Sequence, residues 1–150
     1  MISRALVLVA LCAGLYANSL QGSFHYDDFH SLVDNPHVRS GTNIGHFFLD
    51  PDMFSVDPAK SMYRPLLLCS YALNYALGGY DTQGYHLFNI ALHALASVLV
   101  ATIAIQLVRG VSAGWIAGVF FALHPLATES TNYISSRSES LAACFYLGVI

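Results

Sequence analysis

The chain has 150 residues, 55% of them hydrophobic and only 10% charged, with a formal net charge of −3. A soluble domain carries about 25% charged residues, so this is the composition of a membrane protein. Its six basic residues (Arg4, Arg39, Lys60, Arg64, Arg109 and Arg137) are scattered, which leaves no electrostatic footprint for nucleic acid. The cysteines Cys12, Cys69 and Cys144 are odd in number and lack ligand spacing, against both a disulfide framework and a zinc site.

Residues 2–20 form the first apolar stretch, and at ~1.5 Å per residue they nearly cover a ~30 Å hydrocarbon core. It reads as a retained span with Tyr16 at the interface, rather than as a signal peptide with a poor cleavage site at Leu15-Tyr16-Ala17. A connection over residues 21–85 follows, polar and rich in Asp, His, Pro and Gly up to about Met62. Within it, residues 64–77 make a short apolar helix started by Pro65 and ended by Gly78-Gly79, of a length that suits an interfacial or re-entrant element. Residues 86–108 are long enough to cross. At 109–112, Gly110 is the expected stop and Ser112 the expected cap of the next helix. Residues 113–126 return, with Trp115 near one face of the bilayer and Pro125 near the other. Residues 139–150 begin a further helix that Ile150 cuts off, so the chain reads as the front piece of a larger protein.

With the N-terminus on the cytoplasmic side, Arg4 and Arg109 fall in short cytoplasmic pieces, as the positive-inside rule favours. All nine acidic residues, Asp27 through Glu139, then face away from the cytoplasm. The fold expected is all-α: polytopic transmembrane helices with an extracytoplasmic loop carrying short interfacial helices.

The adjacent carboxylates Asp27 and Asp28, in SFHYDDFH, are the leading candidates for chemistry. Two neighbouring like charges beside low-dielectric surroundings require compensation by a cation, a base role or strong donors; the alternative is a solvated acidic turn. His25 and His30 flank the pair, so a hard divalent cation is a possible cofactor, although the spacing matches no tight metal motif. His86, Asn89, His93 and Ser97 share one helical face and either line a substrate chamber or hydrogen-bond between helices. In ALHPLATESTNYISSRSES, His124, Glu129 and Arg137 suit an anionic headgroup, or else form a loop ion pair that ties helices. Arg64 sits where a horizontal helix would meet lipid phosphate.

Three strings carry a resemblance: YANSLQGSFHYDDFHSLVDNPHV, YRPLLLCSYALNYALGGYDTQGYHLFNIALHAL and FALHPLATESTNYISSRSESLAA. Together they resemble the membrane-bound O-mannosyltransferase-like proteins with C-terminal tetratricopeptide repeats, of the GT-C class of polytopic glycosyltransferases. The resemblance implies a polyprenyl-phosphate sugar donor, with dolichyl-phosphate mannose in eukaryotic members, and protein Ser/Thr hydroxyls as acceptors. It assigns Asp27 and Asp28 to the family's acidic pair and Arg64 to its R-P-L element. His124, Pro125, Thr128 and Glu129 fall in its H-P-x-x-T-E element. Ala127 stands where the family commonly has a second histidine, and Tyr133 where it has tryptophan.

Transfer from a lipid phosphate to a hydroxyl requires a base for the acceptor proton and donors for the departing phosphate. Asp27 is read as the base and Asp28 as orienting the acceptor or holding a cation, two roles that could be exchanged. Arg64, His124 and Arg137 are the phosphate candidates and Glu129 the positioning one, with His86 also counted among the substrate- and donor-binding residues. The expected location is a bilayer, a bacterial inner membrane before an endoplasmic reticulum, since no N-x-S/T sequon is present. The rival reading is a transport or channel component with an acidic outer vestibule, for which His93 is the midplane ionisable group.

Overall fold

The computed structural model describes residues 2–150, and every regular element in them is helical. The described residues divide into two compact units, one made of residues 2–20 and 86–150, the other of residues 21–85.

In the first unit, α1 (Ile2–Leu15) is shorter than expected. It gives way to a 3₁₀ turn over Ala17–Gln21, where Ser19 donates its hydroxyl (2.7 Å) and its N–H (3.0 Å) to the Tyr16 carbonyl. Such hydroxyls compete with the helical ladder. The long helix α3 (Thr82–Val108) starts four residues before the expected 86, because Asp81 Oδ1 accepts the Gln83 N–H at 3.1 Å. α2 lies in the other unit, as given below. The turn into α4 (Val111–Ala122) also differs: Arg109, not Gly110, takes the left-handed φ of 53°, Gly110 is the N-cap, and Ser112 lies inside the helix. α4 stops at Ala122, four residues short of 126. Pro125 cannot donate to a continuing ladder, and the His124 N–H turns back to the Phe121 carbonyl at 3.3 Å. A bend, α5 (Ala127–Asn132), a 3₁₀ turn and α6 (Arg137–Gly148) complete the unit.

α3 has 27 residues and, at ~1.5 Å each, spans ~40 Å; it alone among the described helices is long and apolar enough to cross a bilayer. α1 and α4 are apolar but shorter. They pack with α3 around Leu8, Cys12, Tyr16, Ile90, Ala94, Ala101, Trp115 and Ala122. Gly114 and Gly118, four apart on α4, allow this approach. A Cβ on Gly114 would lie 2.7 Å from the Ile105 nitrogen and 2.8 Å from the Ala101 oxygen, and one on Gly118 2.7 Å from Ala101 Cβ. Small residues at this spacing let helix backbones come close where the hydrophobic effect supplies no drive. Tyr16 and Trp115 are buried in this packing.

The second unit is a run of short 3₁₀ turns and one π-turn (Phe29–Val33) wrapped on α2 (Pro65–Gly78). α2 has the expected ends: Pro65 in its first turn, and Gly79 at φ 60° donating to the Tyr75 carbonyl. It buries Leu67, Leu68, Tyr71 and Ala72 and exposes Leu66, Leu73 and Leu77. Asn35, fully buried, is the hub of the loop. Its Nδ2 donates to the carbonyls of Ser31 (3.1 Å), Met53 (2.9 Å) and Phe54 (3.1 Å), and its Oδ1 accepts the His37 N–H at 3.0 Å.

Candidate functional site

The acidic pair opens the π-turn of the second unit, and the turn separates its members. Asp28 is 0% exposed, and its Oδ2 accepts the His25 N–H at 2.9 Å. The Asp27 side chain is 60% exposed. Adjacent residues entering a tight helical turn point about 100° apart, so one carboxylate is folded into the loop while its neighbour faces outward. Just before them, Tyr26 holds a left-handed φ of 41°, a strained conformation for a bulky residue. The Ser31 hydroxyl donates to the Asp27 carbonyl at 2.6 Å and braces the turn from inside.

A buried imidazole stands behind Asp27. His30 Nε2 lies 3.4 Å from Asp27 Oδ1, and Nδ1 lies 2.9 Å from Ser55 Oγ. Ser55, also buried, accepts the Asp57 N–H at 2.9 Å. The His30 ring meets Phe54 edge-on with centroids 6.1 Å apart, and the Arg64 guanidinium lies over the same Phe54 ring, 5.8 Å from its centroid. Asp27, His30 and Arg64 are thus gathered about Phe54, the last two directly and Asp27 through His30. His30 and Ser55 are 25 residues apart, and the pinning of the 51–54 turn by Asn35 helps bring them together. No group of three or more His, Cys, Asp or Glu side chains forms a metal set among the described residues.

In the first unit, the polar stripe of α3 is wholly buried. Asn89 Oδ1 accepts from Arg137 Nε at 2.7 Å, while its Nδ2 donates to the Tyr133 carbonyl at 3.2 Å. His93 Nε2 pairs with the Ala122 carbonyl at 3.1 Å, its ring stacked on Phe121 and edge-on to Tyr16. Ser97 donates to the His93 carbonyl at 2.8 Å. Asn89 and His93 thus tie α3 to neighbouring segments, whereas the Ser97 hydroxyl donates within its own helix. His86 is buried on the same face.

Arg137 is 0% exposed, with its guanidinium over the Phe88 ring at 4.6 Å from the centroid. It ties α6 to α3. His124 and Glu129 are exposed. His124 Nδ1 accepts the Leu126 N–H at 3.3 Å, so the neutral ring carries its proton on Nε2 and can donate there. His93, His124, Ser130, Glu139 and Ser140 share the wall of a cavity of about 350 Å³ whose remaining lining is apolar. The three cysteines are free thiols.

No protein-family model and no solved structure matches the chain. It does match curated proteins. It is 33% identical over 145 residues, 95% of its length, to protein O-mannosyl-transferase TMTC2 of Mus musculus. It is 37% identical over 135 residues, 87% of its length, to protein O-mannosyl-transferase Tmtc2 of Drosophila melanogaster, and 32% identical over 150 residues to the human TMTC1 protein. The chain spans 17% of the length of the mouse TMTC2 and human TMTC1 proteins and 14% of the fly protein. These relatives are animal proteins and lend no support to the expected bacterial inner membrane. Over 95% of its length the chain is a homologue of the protein O-mannosyl-transferases.

Proposed function

We propose that this chain is part of a multi-pass membrane glycosyltransferase of the GT-C kind. It would move a sugar, mannose by the relatives' names, from a polyprenyl-phosphate donor to Ser/Thr hydroxyls of proteins on the extracytoplasmic side. α3 supplies one span, and the shorter apolar helices α1 and α4 contribute others together with segments outside these 150 residues. The N-terminus is cytoplasmic, which leaves Asp27 and Asp28 on the far side. The observation that carries the reading is the unequal exposure of the acidic pair, with the Asp27 side chain 60% exposed and Asp28 0% exposed.

Exposed, Asp27 can meet an acceptor and is the base. As the acceptor oxygen bonds to the anomeric carbon, the carbon–oxygen bond to phosphate breaks. The electron pair leaves with polyprenyl phosphate, and the acceptor's proton passes to Asp27. Asp28, held by a backbone N–H, keeps the turn in shape. Arg64 faces the departing phosphate as a forked donor. In the other unit, the exposed His124 and Glu129 and the buried Arg137 and His86 stand as candidates for binding a donor phosphate, His124 through its Nε2–H.

The transport alternative asks for an ionisable group at mid-membrane beside a broken helix. α3 is unbroken, and His93 is occupied by the Ala122 carbonyl and two aromatic rings. The test is the full-length protein in detergent, given radiolabelled polyprenyl-phosphate mannose and a Ser/Thr-rich acceptor peptide. Donor-dependent label on the peptide is expected. Label that appears equally with a nucleotide-sugar donor, or not at all, overturns the proposal.

A further inference from the structure

We propose that His30 is a positioning residue that holds the Asp27 carboxylate in its reactive orientation, with Ser55 fixing the imidazole tautomer that does so. The inference rests on Asp27 being the base, as proposed above, and adds how that base is held.

The argument starts from the atoms around the ring. Nε2 faces the Asp27 carboxylate oxygen at 3.4 Å. A bare ring nitrogen and a carboxylate oxygen would repel, so Nε2 carries the proton. In the neutral ring Nδ1 is then an acceptor, and the Ser55 hydroxyl, 2.9 Å away, is the donor. The Ser55 oxygen is itself fixed, since it accepts the Asp57 N–H at 2.9 Å. The chain of donors therefore runs one way, from the Asp57 backbone through Ser55 and His30 to Asp27. His30 is only 8% exposed and is walled on one side by Phe54, so its ring orientation is set by packing as well. The His30 carbonyl accepts the Val56 N–H at 3.2 Å, which locks the same two segments through the backbone.

The 3.4 Å separation exceeds that of a well-formed N–H···O bond. Hydrogen bonds to a catalytic base are often long before substrate arrives and tighten when it binds. An exposed aspartate without such a brace samples several rotamers, and misplacing a reacting group by ~1 Å costs on the order of 100-fold in rate. The imidazole supplies the brace with no metal ion required for it.

The experiment compares variants of the full-length protein in the mannose-transfer assay. His30→Phe keeps the ring and its contact with Phe54 but removes both nitrogens; kcat should fall by about tenfold or more while KM for the acceptor holds. His30→Gln, which keeps an N–H within reach of Asp27, should recover part of that loss. Adding His30→Phe to Asp27→Asn should cost nothing further. In ¹⁵N-imidazole spectra, His30 of the wild type should be the Nε2–H tautomer, and Ser55→Ala should erode that preference. Full kcat in His30→Phe, a Gln variant no better than Phe, or an Nδ1–H tautomer in the wild type overturns the inference. An Asp27→Asn variant that still transfers sugar overturns the base assignment itself; an inactive Asp27→Asn beside a fully active His30→Phe overturns this inference alone.

Discussion

Replacing Asn35 by Asp changes one atom pair and should unfasten the loop that carries the acidic pair. The amide nitrogen of Asn35 donates to three carbonyls at 2.9–3.1 Å, with two protons shared among them, and the residue is fully buried. Aspartate keeps the acceptor for the His37 N–H but turns the donor into a second oxygen facing three others. Leaving a buried polar group unsatisfied costs about 1–3 kcal/mol, so two lost donations come to about 2–6 kcal/mol. A buried carboxylate adds a desolvation penalty or takes up a proton. Asn35→Ala removes the same donations without adding charge, which sets an order of stability: wild type, then Ala, then Asp. At about 2–4 °C per kcal/mol, Asn35→Asp should lower the thermal midpoint of the protein in detergent micelles by at least about 4 °C. Transfer activity should fall in step, because the π-turn with Asp27 is what Asn35 ties to the 51–54 turn. An Asp variant that melts with the wild type, or above the Ala variant, refutes the reasoning.

Three further outcomes follow from the packing. Gly114→Ala should cost about 1–3 kcal/mol, since its Cβ meets the backbone of Ile105 and Ala101. Gly14→Ala, in α1 with open space around it, should instead be neutral or stabilising by up to about 1 kcal/mol, and melting of the two variants side by side checks the contrast. Arg137→Ala should cost at least about 2 kcal/mol by stripping Asn89 Oδ1 and the Phe88 ring of their partner, seen as an earlier denaturation midpoint. Burial pushes the Cys69 thiol up. Its thiolate is therefore scarcer at neutral pH than that of an exposed cysteine, and maleimide labelling should be slow at pH 7 and speed up as pH rises.

Much of the helical frame was legible because its signals are local. Pro65 and Gly78-Gly79 bracket α2 by their backbone preferences alone, and the apolar length of α3 needs no tertiary knowledge. Boundaries slipped where a neighbour intervened. Asp81 pulled the start of α3 back to Thr82, and Pro125 acted three residues ahead of itself to end α4 at Ala122. The Gly114–Gly118 spacing was present in GWIAG but passed unread. The burial of Tyr16, just past α1, and of Trp115 on α4 was not legible from residue type, since it depends on which way each faces in the helix packing.

The site was legible only in part, for a different reason. The acidic pair announces itself, but adjacent residues cannot be told apart by composition, and only the π-turn reveals which carboxylate faces out. His30 was visible as a flanking histidine. Its partner Ser55 was not, since a contact across 25 residues leaves no periodic trace. Arg137 stood out as an anion-ligand candidate because its guanidinium forks onto phosphate. Its burial against Asn89 and the Phe88 ring was not legible, since both lie at least 48 residues away in sequence.

The division of labour between the two carboxylates is the centre of this account, and mannose transfer by Asp27→Asn and Asp28→Asn, each normalised to folded full-length protein, tests it most directly. Asp27→Asn should lose at least about 100-fold in kcat, the scale of a lost general base, while melting as the wild type does. Asp28→Asn should melt earlier and keep more activity per folded molecule than Asp27→Asn. An Asp27→Asn protein that transfers sugar at the wild-type rate, or an Asp28→Asn protein that is as stable as the wild type and inactive, would contradict it.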